Sequence, residues 1–208
     1  MTSARDRDHW PRLSLTLCPS SVLARHRVAR DIPGWEAGVV TGIDLTFAPP
    51  LRGTFYRAID PSFREFAIAG SRAAGRYSRA NEPTLYLSSS VGGVEAAMIA
   101  HQDARAAARE IVEIDVEASG IVDLRDVGAL ESAGIDLADA AAPWQDVAAA
   151  GGTPTSWSVR DRLLAGGANG LIDPSRKRPG LWHLVLFCWN EPDAPIVRLR
   201  GTHVAAAN

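Results

Sequence analysis

Short stretches in which apolar and polar residues share β-branched and aromatic character mark the strands of this chain, and longer stretches at helical spacing mark its helices. Gly53-Thr-Phe-Tyr-Arg-Ala-Ile59 predicts a first strand and Thr84-Leu-Tyr-Leu-Ser-Ser89 a second. Glu110-Ile-Val-Glu-Ile-Asp-Val-Glu117 alternates apolar and acidic residues imperfectly and predicts a third, with Ile121-Val-Asp-Leu124 as a fourth. Gly170-Leu-Ile172 and Leu181-Trp-His-Leu-Val-Leu-Phe187 read as further strands, and Ile196-Val-Arg-Leu-Arg200 as a strand at a sheet edge. Ser90 is placed to cap a helix from about Val91 to Glu110, because its hydroxyl can accept from an N–H of the first turn. Val94, Ala97 and Met98 lie at helical spacing in it, and Glu95 sits near its N-terminal end. Residues 125–150 are rich in Ala and Asp and predict short helices; Ser156–Ala165 predicts another, stopped by Gly166-Gly167. The elements interleave without strict βαβ alternation, so the predicted class is α+β, a mixed sheet with helices.

Two stretches lack this patterning. Residues 60–82 are rich in Gly, Ser, Arg and Asn, and so long a connection inside a compact domain usually has a job. Residues 1–50 carry Pro11, Pro19, Pro33, Pro49 and Pro50; Ser20–Asp31 fits a short basic helix that Pro33-Gly34 would break. Pro49-Pro50 makes a stiff, extended boundary, since each ring fixes φ and restricts its predecessor. The expected division is an N-terminal extension over 1–50, packed on the main domain or reaching a partner, and a main domain over 51–208.

Composition narrows the function. The chain has 208 residues, 46% of them hydrophobic and 22% charged, which is ordinary for a globular domain able to bury a core without staples. A formal net charge of -2 provides no global basic field to hold nucleic acid. Of the two cysteines, Cys188 lies in the apolar run Leu184–Trp189 and reads as a buried structural thiol, a pairing with Cys18 staying open. No zinc-type spacing, metal-binding His pattern or Gly-x-Gly-x-x-Gly appears, so no metal and no Rossmann site is expected. The N-terminus has no apolar leader and no stretch approaches the roughly 20 apolar residues of a membrane span, so the expected location is the cytoplasm, away from membranes.

Four short stretches hold the chemistry: Phe55-Tyr-Arg57-Ala, then Gly75-Arg76-Tyr77-Ser78, then Leu85-Tyr86-Leu-Ser-Ser-Ser90 with Glu95 after it, and Gly170-Leu-Ile-Asp-Pro-Ser175-Arg-Lys-Arg-Pro-Gly180. In order and spacing they resemble the RES-domain toxins, a bacterial family named for an arginine, a glutamate and a serine, which here would be Arg57, Glu95 and Ser175. The resemblance runs from about Gly53 to the end. It departs at the second stretch, where the family commonly has Gly-Gly-Arg, an aromatic and Asn, and this chain has Ala74-Gly75-Arg76-Tyr77-Ser78.

The resemblance implies a fold similar to the ADP-ribosyltransferase toxins, NAD⁺ as substrate, and a toxin whose partner is a helix-turn-helix (Xre-type) antitoxin. Self-association is left open, and any DNA contact would be the partner's. Guanidinium groups bind phosphate bidentately, so Arg57 and Arg76 are candidates for the pyrophosphate. Tyr77 and Tyr86 are candidates to stack on the cationic nicotinamide, with Ser88 lining the same dinucleotide site. Nicotinamide leaves as a neutral molecule, so the reaction needs stabilisation of positive charge on the ribose, for which Glu95 is the candidate. Ser175 would position an amide or hydroxyl; no nucleophile elbow surrounds it.

Each residue also has an ordinary reading. Arg57 fits a surface cation and Tyr86 a core aromatic. Glu95 fits a helix-dipole partner, Ser175 a turn residue and Arg176-Lys-Arg178 a solvated loop, though that basic cluster also suits phosphates. His183 reads as a satisfied core histidine, and His101 as remote from the site. The acceptor decides the product: water gives hydrolysis, phosphate gives phosphorolysis, and a protein side chain gives mono-ADP-ribosylation. The alternative of another class is a catalytically silent binding module.

Overall fold

The structure is a computed structural model describing residues 43–99 and 109–201. Seven strands form one sheet: β1 (Leu51–Ile59), β2 (Leu85–Ser88), β3 (Glu110–Ala118), β4 (Ile121–Asp123), β5 (Gly170–Pro174), β6 (Trp182–Leu186) and β7 (Ile196–Leu199), in the spatial order β4-β5-β6-β2-β1-β3-β7. Only β4 and β5 run parallel; the other neighbours are antiparallel. The helices are α1 (Val91–Met98), α2 (Val127–Ala133), α3 (Leu137–Ala141), α4 (Gln145–Ala149) and α5 (Thr155–Ala165). This is the mixed α+β class that the patterning predicts, and β7 lies at the sheet edge as expected.

Alternation along the strands divides the core in two, because successive side chains point to opposite faces. On one face Val122, Leu171 and Val185 meet Ala129 and Ala133 of α2, Ala140 of α3 and Val159 and Leu163 of α5. On the other, Phe55, Leu87, Val112, Ile114, Ile172 and Leu184 pack with Ala67, with Ile68 and Trp189 at the margin. The helices cover only part of their face. Over β3 it is open, and there Arg52 pairs with Glu117 at 2.7 Å and Arg200 with Glu113 at 3.1 Å.

The first helix is shorter than its pattern implies. Ser90 caps it as expected, its Oγ accepting from Gly93 N at 3.1 Å, but α1 ends at Met98 and cannot reach Glu110. Glu110 belongs to β3, whose residues pair with β1 from Ile59↔Glu110 through to Leu51↔Ala118; the ladder outweighs the helix propensity of a Glu-rich start. The buried side of α1 is Gly93, Val94 and Ala96, whereas Ala97 is exposed. The Ser20–Asp31 helix, Cys18 and His101 lie outside the described residues. Of the segment before β1, Leu45 is buried among the helices and Ala48 N donates to Ile121 O at 2.7 Å, so residues 43–50 are knit to the domain. Cys188 is buried.

The β5–β6 pair is packed to its limit at Gly170. A Cβ there would lie 2.3 Å from Val185 O, a backbone atom of the neighbouring strand that cannot move aside alone. Gly170→Ala should therefore destabilise the fold by about 1–3 kcal/mol through overpacking, read as a lower urea midpoint at unchanged slope. An unchanged midpoint would contradict this close approach.

Candidate functional site

Register builds the site. In the antiparallel ladders Asp173 of β5 lies opposite His183 of β6, His183 opposite Ser88 of β2, and Ser88 opposite Tyr56 of β1. Residues directly opposite share a face, so these four form one polar row across four strands. One row inward on the same face are Leu171, Val185 and Tyr86, which pack against the helices. The row is thus the point where the helix-covered core gives way to polar chemistry. Ser88 is 5% exposed and Asp173 7%, while His183 and Tyr56 are half-buried.

Asp173 anchors one end. The Tyr77 hydroxyl donates to its Oδ1 at 2.9 Å, and burial raises its carboxyl to about 6 against the pull of Tyr77 and of Arg76. Burial, reinforced by Asp173, in turn pushes the Tyr77 phenol well up, so it remains the donor. The Tyr86 hydroxyl meets Tyr77 N and Ser78 Oγ, both at 3.1 Å. Ser78, standing where the resembling family commonly has Asn, is fully buried and is held by this contact. Gly75 is needed beside it, since a Cβ there would sit 2.6 Å from Tyr86 Oη. At the middle of the row, Ser88 Oγ and His183 Nδ1 are 3.1 Å apart, and burial lowers the imidazole's affinity for a proton.

Ser175 follows β5 directly and is 8% exposed; its Oγ accepts from Arg178 N at 3.3 Å. Arg178 Nη1 then reaches Glu95 Oε2 at 3.4 Å, so one arginine ties the turn after β5 to α1. Both of those side chains are more than half exposed, at 51% and 58%, and such a pair contributes little and opens readily. Gly93 of α1 lies against Ser88: a Cβ there would meet Ser88 Cβ at 3.1 Å. Ser175 and Glu95 are therefore linked through Arg178 at the rim of the helical face, and Ser88 lies against the helix that carries Glu95, with Tyr86 one row further in on the same face.

Two arginines are placed otherwise than the sequence suggests. Arg57 shares a face with Phe55 and Ile59, opposite to the polar row, and there Nη1 donates to Ala67 O at 2.5 Å and burial lowers its proton affinity. Strand parity, set by the Tyr56↔Ser88 pairing, separates it from the row. Arg76 is on the correct side, but Nη1 is already bonded to Ala140 O at 2.8 Å and Ala142 O at 2.7 Å at the end of α3. Its Nε and Nη2 make no hydrogen bond to the described residues. Tyr77 has no exposed surface, so its ring is closed to stacking and its function is to hold Asp173.

From sequence alone His183 reads as a satisfied core histidine, and Asp173 takes no role of its own. The one local signal was a carboxylate in the otherwise apolar Gly170-Leu-Ile-Asp-Pro174, a strand buried along most of its length. Their adjacency is a property of register, which a single strand does not display. Two surface depressions, one lined by Ile135, Asp139, Thr155 and Arg162 and the other by Arg52, Glu117 and Pro195, lie away from this rim. Among the described residues no group of three His, Cys, Asp or Glu is arranged to hold a metal, and no helix is long and apolar enough to cross a membrane.

A model of the RES domain matches residues 53–206. In structure, the chain matches one in a crystal structure of the M. tuberculosis MbcT–MbcA toxin–antitoxin complex, with a TM-score of 0.48 and 21% identity, covering 80% of this chain and 91% of that one. No curated protein matches.

The state of Asp173 has a signature in stability. Its pKa of about 6 in the fold, against 3.8 ordinarily, means the folded protein binds this proton more tightly than the unfolded chain. Stability should fall as pH rises between about 4 and 6, by up to about 3 kcal/mol from this group, and then level off. Asp173→Asn keeps an acceptor for Tyr77 and removes the titration. Urea unfolding should show the variant gaining on the wild type from pH 4 to pH 6; a difference independent of pH would contradict the buried carboxyl.

Proposed function

The chain belongs to the RES-domain family, and from that premise we propose that it is the toxin of a toxin–antitoxin pair and breaks the nicotinamide–ribose bond of NAD⁺, depleting the cell of it by hydrolysis or phosphorolysis. The observation that carries the reading is the contact of Ser88 with Gly93 of α1 together with the bridge by which Arg178 joins Ser175 to Glu95 of that same helix.

The chemistry suits those groups. As the bond breaks, its electron pair leaves with nicotinamide and positive charge develops on the ribose. Glu95 is exposed and only loosely paired, so its carboxylate is free to turn towards that charge. Ser88 and Ser175, held by neighbours and nearly buried, offer hydroxyls at fixed positions to the ribose or the nicotinamide amide. Tyr86 forms the wall behind them. Phosphates fall to the exposed cations of the turn after β5, Lys177 and Arg178, and to the unused donors of Arg76; Arg57 serves by clamping the connection on the far face. The partner that holds the toxin silent is an Xre-type antitoxin, which would lie over this rim and shut out the dinucleotide.

Glu95→Gln preserves size and hydrogen bonding while removing the charge. Loss of a positioned electrostatic group lowers turnover by on the order of a hundred- to a thousandfold. The variant should lose NAD⁺ consumption to that extent, with stability within about 0.5 kcal/mol of the wild type, as for an exposed position. The measurement is nicotinamide release from NAD⁺ with and without phosphate, alongside growth and NAD⁺ content of cells making the chain alone. Near-normal turnover in the variant would remove Glu95 from this role. Growth arrest at a constant NAD⁺ pool would replace bulk depletion with modification of a particular protein.

A further inference from the structure

We propose that His183 is a catalytic residue of this site, taking the proton from the water that attacks the ribose while Ser88 orients its ring. The inference rests on the NAD⁺ reading above and deepens it by assigning the acceptor.

The geometry is that of a base whose ring is oriented by a neighbouring hydroxyl. His183 stands opposite Ser88 on one side and Asp173 on the other, in neighbouring strands of the same ladder. Ser88 Oγ occupies Nδ1 at 3.1 Å. With Nδ1–H donating to that oxygen, the lone pair of Nε2 is left uncommitted, and Nε2 makes no hydrogen bond to the described residues. The ring is half-buried, so part of it reaches the rim. Burial lowers its proton affinity, which keeps it neutral and ready to accept at neutral pH. Asp173, in the strand on the other side, is engaged by the Tyr77 hydroxyl through Oδ1.

The step balances without a further reagent. A water oxygen bonds to C1′ of the nicotinamide ribose as the C1′–N bond breaks, and the pair from that bond leaves on neutral nicotinamide. One water proton passes to His183 Nε2 and then to solvent; the other stays on the new hydroxyl. Inorganic phosphate, already an anion, needs no proton removed. The two acceptors therefore separate a base from a residue that only shapes the site.

The experiment measures ADP-ribose formation in water, the phosphate ester formed with inorganic phosphate, and NAD⁺ affinity by calorimetry, for the full chain and for His183→Ala and His183→Gln. A base contributes on the order of a hundredfold or more. Hydrolysis should fall by about that factor in both variants, with affinity within about threefold of the wild type and the phosphate reaction little changed. Free imidazole should restore hydrolysis to His183→Ala. Unaltered hydrolysis in folded His183→Gln, equal loss with both acceptors, or no imidazole rescue would overturn the role. A wild type that consumes NAD⁺ only when phosphate is present would overturn it too, while leaving NAD⁺ cleavage standing. A wild type inert to NAD⁺ would remove the underlying reading, and this inference with it.

Discussion

The pairing of β6 with β2 on one side and β5 on the other is the constraint on which both core and site depend. It sets Val185 against the helices in the same register that puts His183 between Ser88 and Asp173. Because side chains alternate with period two, a slip of one residue would send the polar row into the opposite cluster and take Leu184 and Leu186 out of it. Burying an unpartnered carboxylate costs several kcal/mol. The apolar residues thus enforce the register, and the register places the polar ones.

The long connection from β1 to β2 is explained by the same arrangement. It begins against one face, where Ala67 packs and Arg57 holds its carbonyl, and later delivers Tyr77 to the other. Its second half is fastened from several directions. Ser156 Oγ donates to Arg76 O at 2.6 Å, Trp157 Nε1 to Gly75 O at 2.9 Å, and Arg79 makes two bonds to Asp161 at 2.9 and 2.7 Å. Arg160, nearly buried over the Phe187 ring, pairs with Glu82 at 3.0 Å. The Glu82 side chain is 29% exposed, so no single pair carries the segment; it is the several bonds together that hold this irregular backbone. The connection's task is to bring the Tyr77 hydroxyl to Asp173 and to close the wall around Tyr86.

Strands and short helices were legible in the sequence because local pattern determines them, as in Leu181–Phe187 and the Ser156–Ala165 helix. The far end of α1 was not, because the fate of Glu110 depends on β1, more than fifty residues earlier. Of the motif residues, Ser175 and Glu95 are joined through Arg178, and Ser88 lies against the helix that carries Glu95. Arg57 shows the limit. Its identity and spacing say nothing of the face it points to, which follows from the pairing of Tyr56 with Ser88 across the sheet. Asp173 and His183 show the converse: each is unremarkable alone, and only the ladder makes them neighbours.

The central claim is that the dinucleotide is handled at the rim around Ser88, His183, Ser175 and Glu95. The most direct measurement is a titration of the isotopically labelled full chain with carba-NAD⁺, whose ribose lacks the ring oxygen and resists cleavage, followed by amide chemical shifts. The expected result is saturable shifts concentrated at Ser88–Glu95, Ser175–Arg178 and His183, with the face beneath Arg57 and the depression at Ile135 and Arg162 unmoved. Shifts clustered at either of those two places, or none at saturating ligand, would contradict it.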